Sequence, residues 1–218
     1  MATSFQEEPF RFPIDAFLSQ AQRPFNYNLQ NENLFPIEHF LPFRRGGPAA
    51  ARSFSAMQPA LGLISRIILT RPSTFGIFVK RAEAGSEDVF LDDSTEIPVP
   101  DDEIITAIKT HMHFFELSSD PMSSFSETIF NPKSTRDTVC LDYSLVEALH
   151  FENDGSNSKP PMLFFLAALI GHEIAHILEF RCIRSGRLNG DNAFVTPPGL
   201  TCREAGTAWE VRTFGGGR

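Results

Sequence analysis

The chain has 218 residues, of which 42% are hydrophobic and 21% charged, so it is long and apolar enough to fold around a core. Its formal net charge of −8 is a poor match for nucleic acid or anionic membranes, which bind cationic side chains. Three cysteines are too few for a disulfide framework.

Neither a targeting signal nor a membrane span is predicted. A secretory signal has a basic stretch followed by a continuous apolar run, and the N-terminal residues have neither. The longest apolar run, Met162–Gly171, is far shorter than the roughly 20 residues that cross a bilayer. We therefore expect a cytoplasmic protein with reduced thiols and with neither a nucleic-acid nor a membrane partner.

Residues 1–60 are predicted to form a Phe- and Pro-rich arm, followed by a domain at residues 61–218. The chain contains 22 Phe and 16 Pro but only 2 Tyr and 1 Trp. Repeated Phe-Pro and Pro-Phe pairs disfavour helix, and Arg44–Arg52 is typical of a flexible linker. Because exposed Phe at this density would favour aggregation, we expect the arm to pack over the domain as an extended strap.

The first elements of the domain are predicted to be a hairpin. Leu61–Thr70 and Phe75–Glu83 have the composition of strands, and Arg71–Thr74 that of the turn between them. The segment 83–103 is rich in acidic residues, which favours a solvated loop.

The remaining elements alternate between helix and strand. Helical spacing of apolar residues predicts a helix at Asp101–Leu117. A short strand is expected at Thr138–Tyr143 and a turn of helix at Ser144–His150. A long helix at Pro161–Ser185 and a short helix at Thr201–Phe214 complete the pattern.

The long predicted helix contains the motif H-E-x-x-H, at His172, Glu173 and His176. Residues four apart share one helical face, so both imidazoles can bind one metal ion. Zn²⁺ held by two imidazoles and a third ligand keeps one position open for water, whose pKa it lowers. Glu173, beside the ligand face, is then suited to accept the proton of the water and deliver it to a leaving amine. The alternative interpretation is a pair of hydrogen-bonded core histidines without a metal.

This stretch resembles the active-site helix of the zincin metallopeptidases. The supporting pattern of strand, active-site helix and later helix covers Thr138–Phe214, whereas residues 1–100 match no zincin family. The resemblance implies an α+β fold with a small twisted sheet, a central active-site helix and a C-terminal ligand helix. It also implies that a substrate strand adds to the sheet edge, for which Thr138–Tyr143 is the candidate.

Several residues compete for the position of third ligand. Cys182 has the spacing of the metzincins, but Glu179 stands where they have a helix-breaking Gly, so Cys182 would point away. Gluzincins take a Glu from a later helix, and Glu204, followed by Ala205 and Gly206, is similar to that pattern.

A helical wheel separates Glu204 from Glu210, the other acid of the last helix. Glu204 falls inside the apolar arc, where a carboxylate needs a partner such as a metal, and Glu210 falls outside it. Gly206 would permit close approach of the two helices. The alternative for Glu204 is a T-x-x-E capping box with Thr201, in which it only caps backbone amides.

The sequence thus predicts a zinc-dependent hydrolase, a metallopeptidase acting on a peptide or protein substrate. His172, His176 and Glu204 are its expected metal ligands, and Glu173 is its general base and acid. The residues expected to support the site, or to bind the oxyanion as zincins do, are Tyr143, Glu179 and Glu210. The alternative is a catalytically silent zinc-binding or protein-interaction module that retains the H-E-x-x-H helix.

Overall fold

A computed structural model describes residues 34–36, 39, 48–79, 99–118, 122, 124–131, 137–153, 155–183 and 204–215. In these ranges the fold is α+β, with six α-helices and a three-stranded mixed sheet. The helices are α1 (Pro48–Thr70), α2 (Gly76–Val79), α3 (Asp101–His111), α4 (Tyr143–Phe151), α5 (Lys159–Leu178) and α6 (Ala205–Phe214). The strands are β1 (Met112–Ser118), β2 (Ser126–Ile129) and β3 (Asp137–Asp142). A 3₁₀ turn (Pro72–Phe75) links α1 to α2, and a π-helical segment (Glu179–Ile183) extends α5.

The sheet has the order β1-β3-β2, with β3 parallel to β1 and antiparallel to β2. The predicted strand at Thr138–Tyr143 is confirmed as β3, but its assignment to the sheet edge is wrong. Val139, Cys140 and Leu141 are all buried, which is typical of a central strand covered on both faces. Among the described residues, the strand that lies at the edge and beside α5 is β2.

Helix α5 is the central helix of the fold, and it packs against α1, α6 and β2. It begins at Lys159 with proline in its first turn, where a missing backbone donor costs nothing, and its helical path continues through Ile183. The predicted long helix is therefore confirmed. Of the described helices, it alone is long and apolar enough to cross a membrane. However, 56% of its most apolar 18-residue stretch is buried inside the fold, as in the core helix of a soluble protein.

The predicted hairpin at Leu61–Thr70 and Phe75–Glu83 is wrong. The first segment is the second half of α1, and the second begins with the 3₁₀ turn and α2, which ends at Val79. Ile-rich sequence favours strand by propensity, but Leu61, Ile64 and Ile68 are buried at helical spacing, and this packing decides the structure.

The segment at residues 48–60 also differs from the expected extended arm and linker. Helix α1 begins at Pro48, inside the segment expected to be a linker, and continues through residue 60, where the domain was expected to begin. Phe35 and Phe54 are buried in the same core as α1. The expectations for residues 1–33, for the acidic segment at 83–98 and for residues 184–203 lie outside the described residues.

Three further helices have boundaries that can be compared with the expected ones. The helix expected at Asp101–Leu117 ends at His111, because Met112 begins strand β1, which pairs with β3. The helical turn expected at Ser144–His150 is confirmed as α4, and the Asp142 side chain caps it by accepting a 2.8 Å hydrogen bond from the Ser144 amide. The last helix, α6, begins only at Ala205.

Candidate metal centre

Two glycines let helices α5 and α6 lie in direct contact. A Cβ atom at Gly206 of α6 would lie 2.2 Å from the His172 ring, and one at Gly171 of α5 would lie 2.1 Å from the Trp209 ring. Trp209 is fully buried, and its ring stacks on Phe75 with centroids 5.2 Å apart. The expectation that Gly206 permits close approach is confirmed, and this contact brings the start of α6 to the H-E-x-x-H motif.

His172, His176 and Glu204 form a cluster in which one ligand atom from each side chain lies within 4.8 Å of the others. Glu204 Oε1 lies 3.3 Å from His172 Nε2 and makes a direct contact with His176 Nε2. The three side chains are between 23% and 30% exposed. The cluster is therefore half-buried, with one side accessible to solvent.

Glu204 reaches the two histidines because it is the N-cap of α6. Its carboxylate accepts hydrogen bonds from the amides of Gly206 (2.9 Å) and Thr207 (2.6 Å). The two alternatives for Glu204 are thus compatible, since the same side chain caps the helix and faces both imidazoles. It caps from the N-cap position itself, whereas the capping box would place it at the third helical residue; Thr201 lies outside the described residues.

Glu210 contacts the second ring nitrogen of His172. Its Oε1 lies 2.9 Å from His172 Nδ1, so both ring nitrogens of His172 face carboxylates from α6. A carboxylate on the far nitrogen of a metal-binding imidazole fixes the ring orientation and raises its basicity. Glu210 is therefore placed to support a ligand.

The charges of the cluster compensate one another. Burial by itself lowers the pKa of His172, but the hydrogen bonds and negative charges of Glu204 and Glu210 outweigh it and raise that pKa to about 10. Burial likewise raises the pKa of Glu204, but the hydrogen bonds from His172, His176 and Thr207 bring it well below its usual value. In the absence of metal, this raised pKa favours the protonated form of His172.

Glu173 lies on a different side of α5, against strand β2. Its side chain is 4% exposed, and both of its carboxylate oxygens accept hydrogen bonds. Ser126 Oγ donates to Oε1 at 2.7 Å, and Thr128 Oγ1 donates to Oε2 at 2.6 Å. Sequence reasoning missed both hydroxyls because no strand was predicted there, although Ser126 and Thr128 alternate as one face of a strand does.

The other candidates are not members of the cluster. Tyr143, the first residue of α4, is exposed, and among the described residues it makes no hydrogen bond to the histidines or Glu204. Glu179 is buried in the π-helical segment, and Cys182 is partly exposed there. Neither joins the described ligand cluster, and Cys202 lies outside the described residues.

The three side chains fit a zinc ion by donor type, and one pair of them fits by spacing. Two imidazoles and a carboxylate are a donor set of catalytic zinc sites, with bonds of about 2.0–2.2 Å, so that tetrahedral ligand atoms lie roughly 3.4 Å apart. The separation of 3.3 Å between His172 Nε2 and Glu204 Oε1 matches this spacing. His176 Nε2 and Glu204 Oε1 lie closer together than this spacing, so these two side chains would move apart to admit the ion.

Comparison with known proteins assigns no family to the chain. No protein-family model, curated protein or solved structure matches it. The fold is therefore described by its class, α+β with a small mixed sheet, and the function is argued from the site alone.

Proposed function

We propose that this protein is a zinc-dependent hydrolase with a zincin-like fold and site, a metallopeptidase that cleaves peptide bonds. The proposal is carried by the convergence of His172, His176 and Glu204 within 4.8 Å, from two helices that two glycines hold in contact. Zinc bound there would supply Lewis acidity and lower the pKa of a water molecule toward neutrality. The solvent-accessible side of the cluster is where that water and the substrate would approach.

The chain itself supplies the proton acceptor. Glu173 follows His172 directly on α5, and it would take the proton of the attacking water and pass it to the leaving amine. The two hydroxyls bonded to Glu173 do not exhaust its capacity, because each carboxylate oxygen has two lone pairs and accepts only one of these bonds. Glu210 would keep His172 oriented while the reaction proceeds.

An extended peptide or protein segment is the substrate that suits this site. β2 is a sheet edge beside α5, and an extended peptide can add to such an edge through main-chain hydrogen bonds. Phe125 and Ile129, at its two ends, are 52% and 46% exposed and offer apolar contacts for substrate side chains. A cytoplasmic location, with neither a nucleic-acid nor a membrane partner, completes the proposal and agrees with the net charge of −8.

Metal content and hydrolysis test the proposal in that order. The protein, purified without a polyhistidine tag, is expected to bind one zinc per chain and to cleave members of a broad peptide library. Glu173→Gln is expected to abolish cleavage and to retain zinc, because it removes the proton acceptor but no ligand. A wild-type protein that takes up no zinc would refute the proposal and support the metal-free histidine pair.

The second candidate is a catalytically silent zinc-binding or interaction module. The burial of Glu173, whose two oxygens are both bonded to hydroxyls, favours this candidate because a general base must meet water. Stoichiometric zinc, together with no cleavage in the peptide library and no effect of Glu173→Gln, would decide for this module.

A further inference from the structure

Strand β2 presents two hydroxyl groups to a single buried carboxylate. Residues two apart in a strand point to the same face, so Ser126 and Thr128 both face α5, whereas Glu127 and Ile129 between and beyond them are exposed. The two hydroxyls, here called the hydroxyl pair, bond to different oxygens of Glu173 at 2.7 and 2.6 Å. This arrangement fixes the plane of the carboxylate as well as its position.

We propose that Ser126 and Thr128 are positioning residues that orient Glu173 for proton transfer. The inference rests on the proposed function, since it assigns the hydroxyl pair a role only if Glu173 acts on water. The two donors bond to different oxygens, so they fix the orientation of the carboxylate and leave a lone pair on each oxygen to accept a proton. Within the described residues, no Lys or Arg side chain forms an ion pair with Glu173, which agrees with this role.

The hydroxyl pair also connects Glu173 to the edge of the sheet. Ser126 is paired with Leu141 and Thr128 with Val139 of the central strand, so the position of β2 is set from one side by β3. A peptide that adds to the other side of β2 would bond to the backbone of the same residues whose hydroxyls hold Glu173. Substrate docking and orientation of the proton acceptor are thereby made to depend on one short strand.

Binding of acetohydroxamate to the zinc-loaded full chain tests the inference without a known substrate. A hydroxamate chelates zinc through two oxygens and loses a proton, which a correctly placed carboxylate accepts. Ser126→Ala and Thr128→Val remove one donor each and nearly keep the side-chain shape. Glu173→Gln is the reference, Thr128→Ser restores the hydroxyl, and Glu127→Gln is the matched control on the exposed face of the strand.

We expect Glu173→Gln to weaken acetohydroxamate binding at least tenfold. Each hydroxyl deletion is expected to weaken it about fivefold to tenfold, less than the full value of a hydrogen bond to a charged group, because the other hydroxyl still holds the carboxylate. Thr128→Ser and Glu127→Gln are expected to bind acetohydroxamate as the wild type does. Every variant is expected to keep one zinc per chain, because none of these residues is a ligand. A purely structural role would lower stability but leave acetohydroxamate affinity unchanged.

The possible failures are distinguishable. Wild-type affinity in Ser126→Ala and in Thr128→Val, with weakened binding in Glu173→Gln, would overturn the inference and leave the proposed function intact. Wild-type affinity in Glu173→Gln would overturn the role of Glu173 and the inference together. Failure of the wild type to bind zinc would refute the proposed function and, with it, any role of the hydroxyl pair in proton transfer.

Discussion

The two sides of helix α5 that carry the H-E-x-x-H motif meet partners of different character. On one side, His172 and His176 face carboxylates from α6, so a cation or a metal ion can be balanced by negative charge. On the other side, the partners of the Glu173 carboxylate among the described residues are the two neutral hydroxyls of β2. The first side is organised by charge and the second by hydrogen-bond geometry.

The two sides also depend on different packing. The histidine side exists because α5 and α6 pack closely at Gly171 and Gly206, where each glycine leaves room for a ring from the other helix. The Glu173 side exists because alternate residues of a strand face the helix. Substitutions on the histidine side should therefore change metal affinity, whereas those at the hydroxyl pair should leave it unchanged.

The largest expected effect follows the removal of Glu204. Glu204→Ala removes a ligand and should weaken zinc binding at least a hundredfold. Glu210→Gln removes only a partner of a ligand, and such losses typically weaken metal binding about 10- to 100-fold. Competition with a chromophoric chelator measures both affinities. The histidine side would then be shown to need the anion from α6.

Glu204→Asn separates the ligand role of Glu204 from its capping role. Asn is as good an N-cap as Asp, so helix α6 should stay capped, while the anionic ligand is lost. We expect unfolding close to that of the wild type and the zinc affinity of Glu204→Ala. Undiminished zinc affinity in Glu204→Asn would instead mean that Glu204 serves only as a cap.

An intermediate effect is expected from the glycines of the helix contact. Gly206→Ala places a methyl group 2.2 Å from the His172 ring, so the ring or the helix must move, at a cost of about 1–3 kcal/mol in the free energy of unfolding. Zinc affinity should fall with it. Gly171→Ala, whose methyl group meets Trp209, should cost similar stability with a smaller loss of zinc affinity.

Gly155→Ala is the matched control, because its added methyl group meets no atom within 4 Å. Denaturant unfolding of the metal-free proteins compares the three variants. If Gly206→Ala were to stabilise the protein, as an exposed Gly→Ala change in a helix does, the close contact of α5 with α6 would be disproved.

The sequence predicts the histidine side of the site far better than the Glu173 side. The face shared by His172 and His176, and the small residue at Gly206, follow from local helical geometry. The order of strands depends on pairing between distant segments, which local patterns do not reveal. The sequence did contain a sign that β3 is central. Val139–Leu141 is a continuous apolar run, as in a strand covered on both faces, and all three residues are buried in the structure.

Helix α1 shows that residue propensity alone is also a poor guide to secondary structure. Its Ile-rich second half has strand propensity, but propensity yields to burial when the apolar residues recur at helical spacing. Pro59 lies inside this helix, so a proline does not by itself end a helix. Periodicity was the better guide here.

The smallest expected effect is the change that one substitution on each side makes in the pH dependence of the stability of the metal-free protein. The pKa of His172 is raised to about 10 in the fold, from 6.5, so its stabilising contribution is complete below pH 6.5 and is lost as the pH rises through 10. Stability should therefore fall between pH 6.5 and 8.5, by at most about 1.4 kcal/mol per pH unit for one proton. Burial, with the charges of Glu116 and Glu127, raises the pKa of the Cys140 thiol to about 11, from 9.0, so its effect begins only above this range. Glu210→Gln removes one anion beside His172 and should flatten the dependence of stability on pH, whereas Ser126→Ala should leave it unchanged. Urea unfolding in EDTA measures the stability of each protein at several pH values. Equal slopes in wild type and Glu210→Gln would contradict the charge pairing of the histidine side.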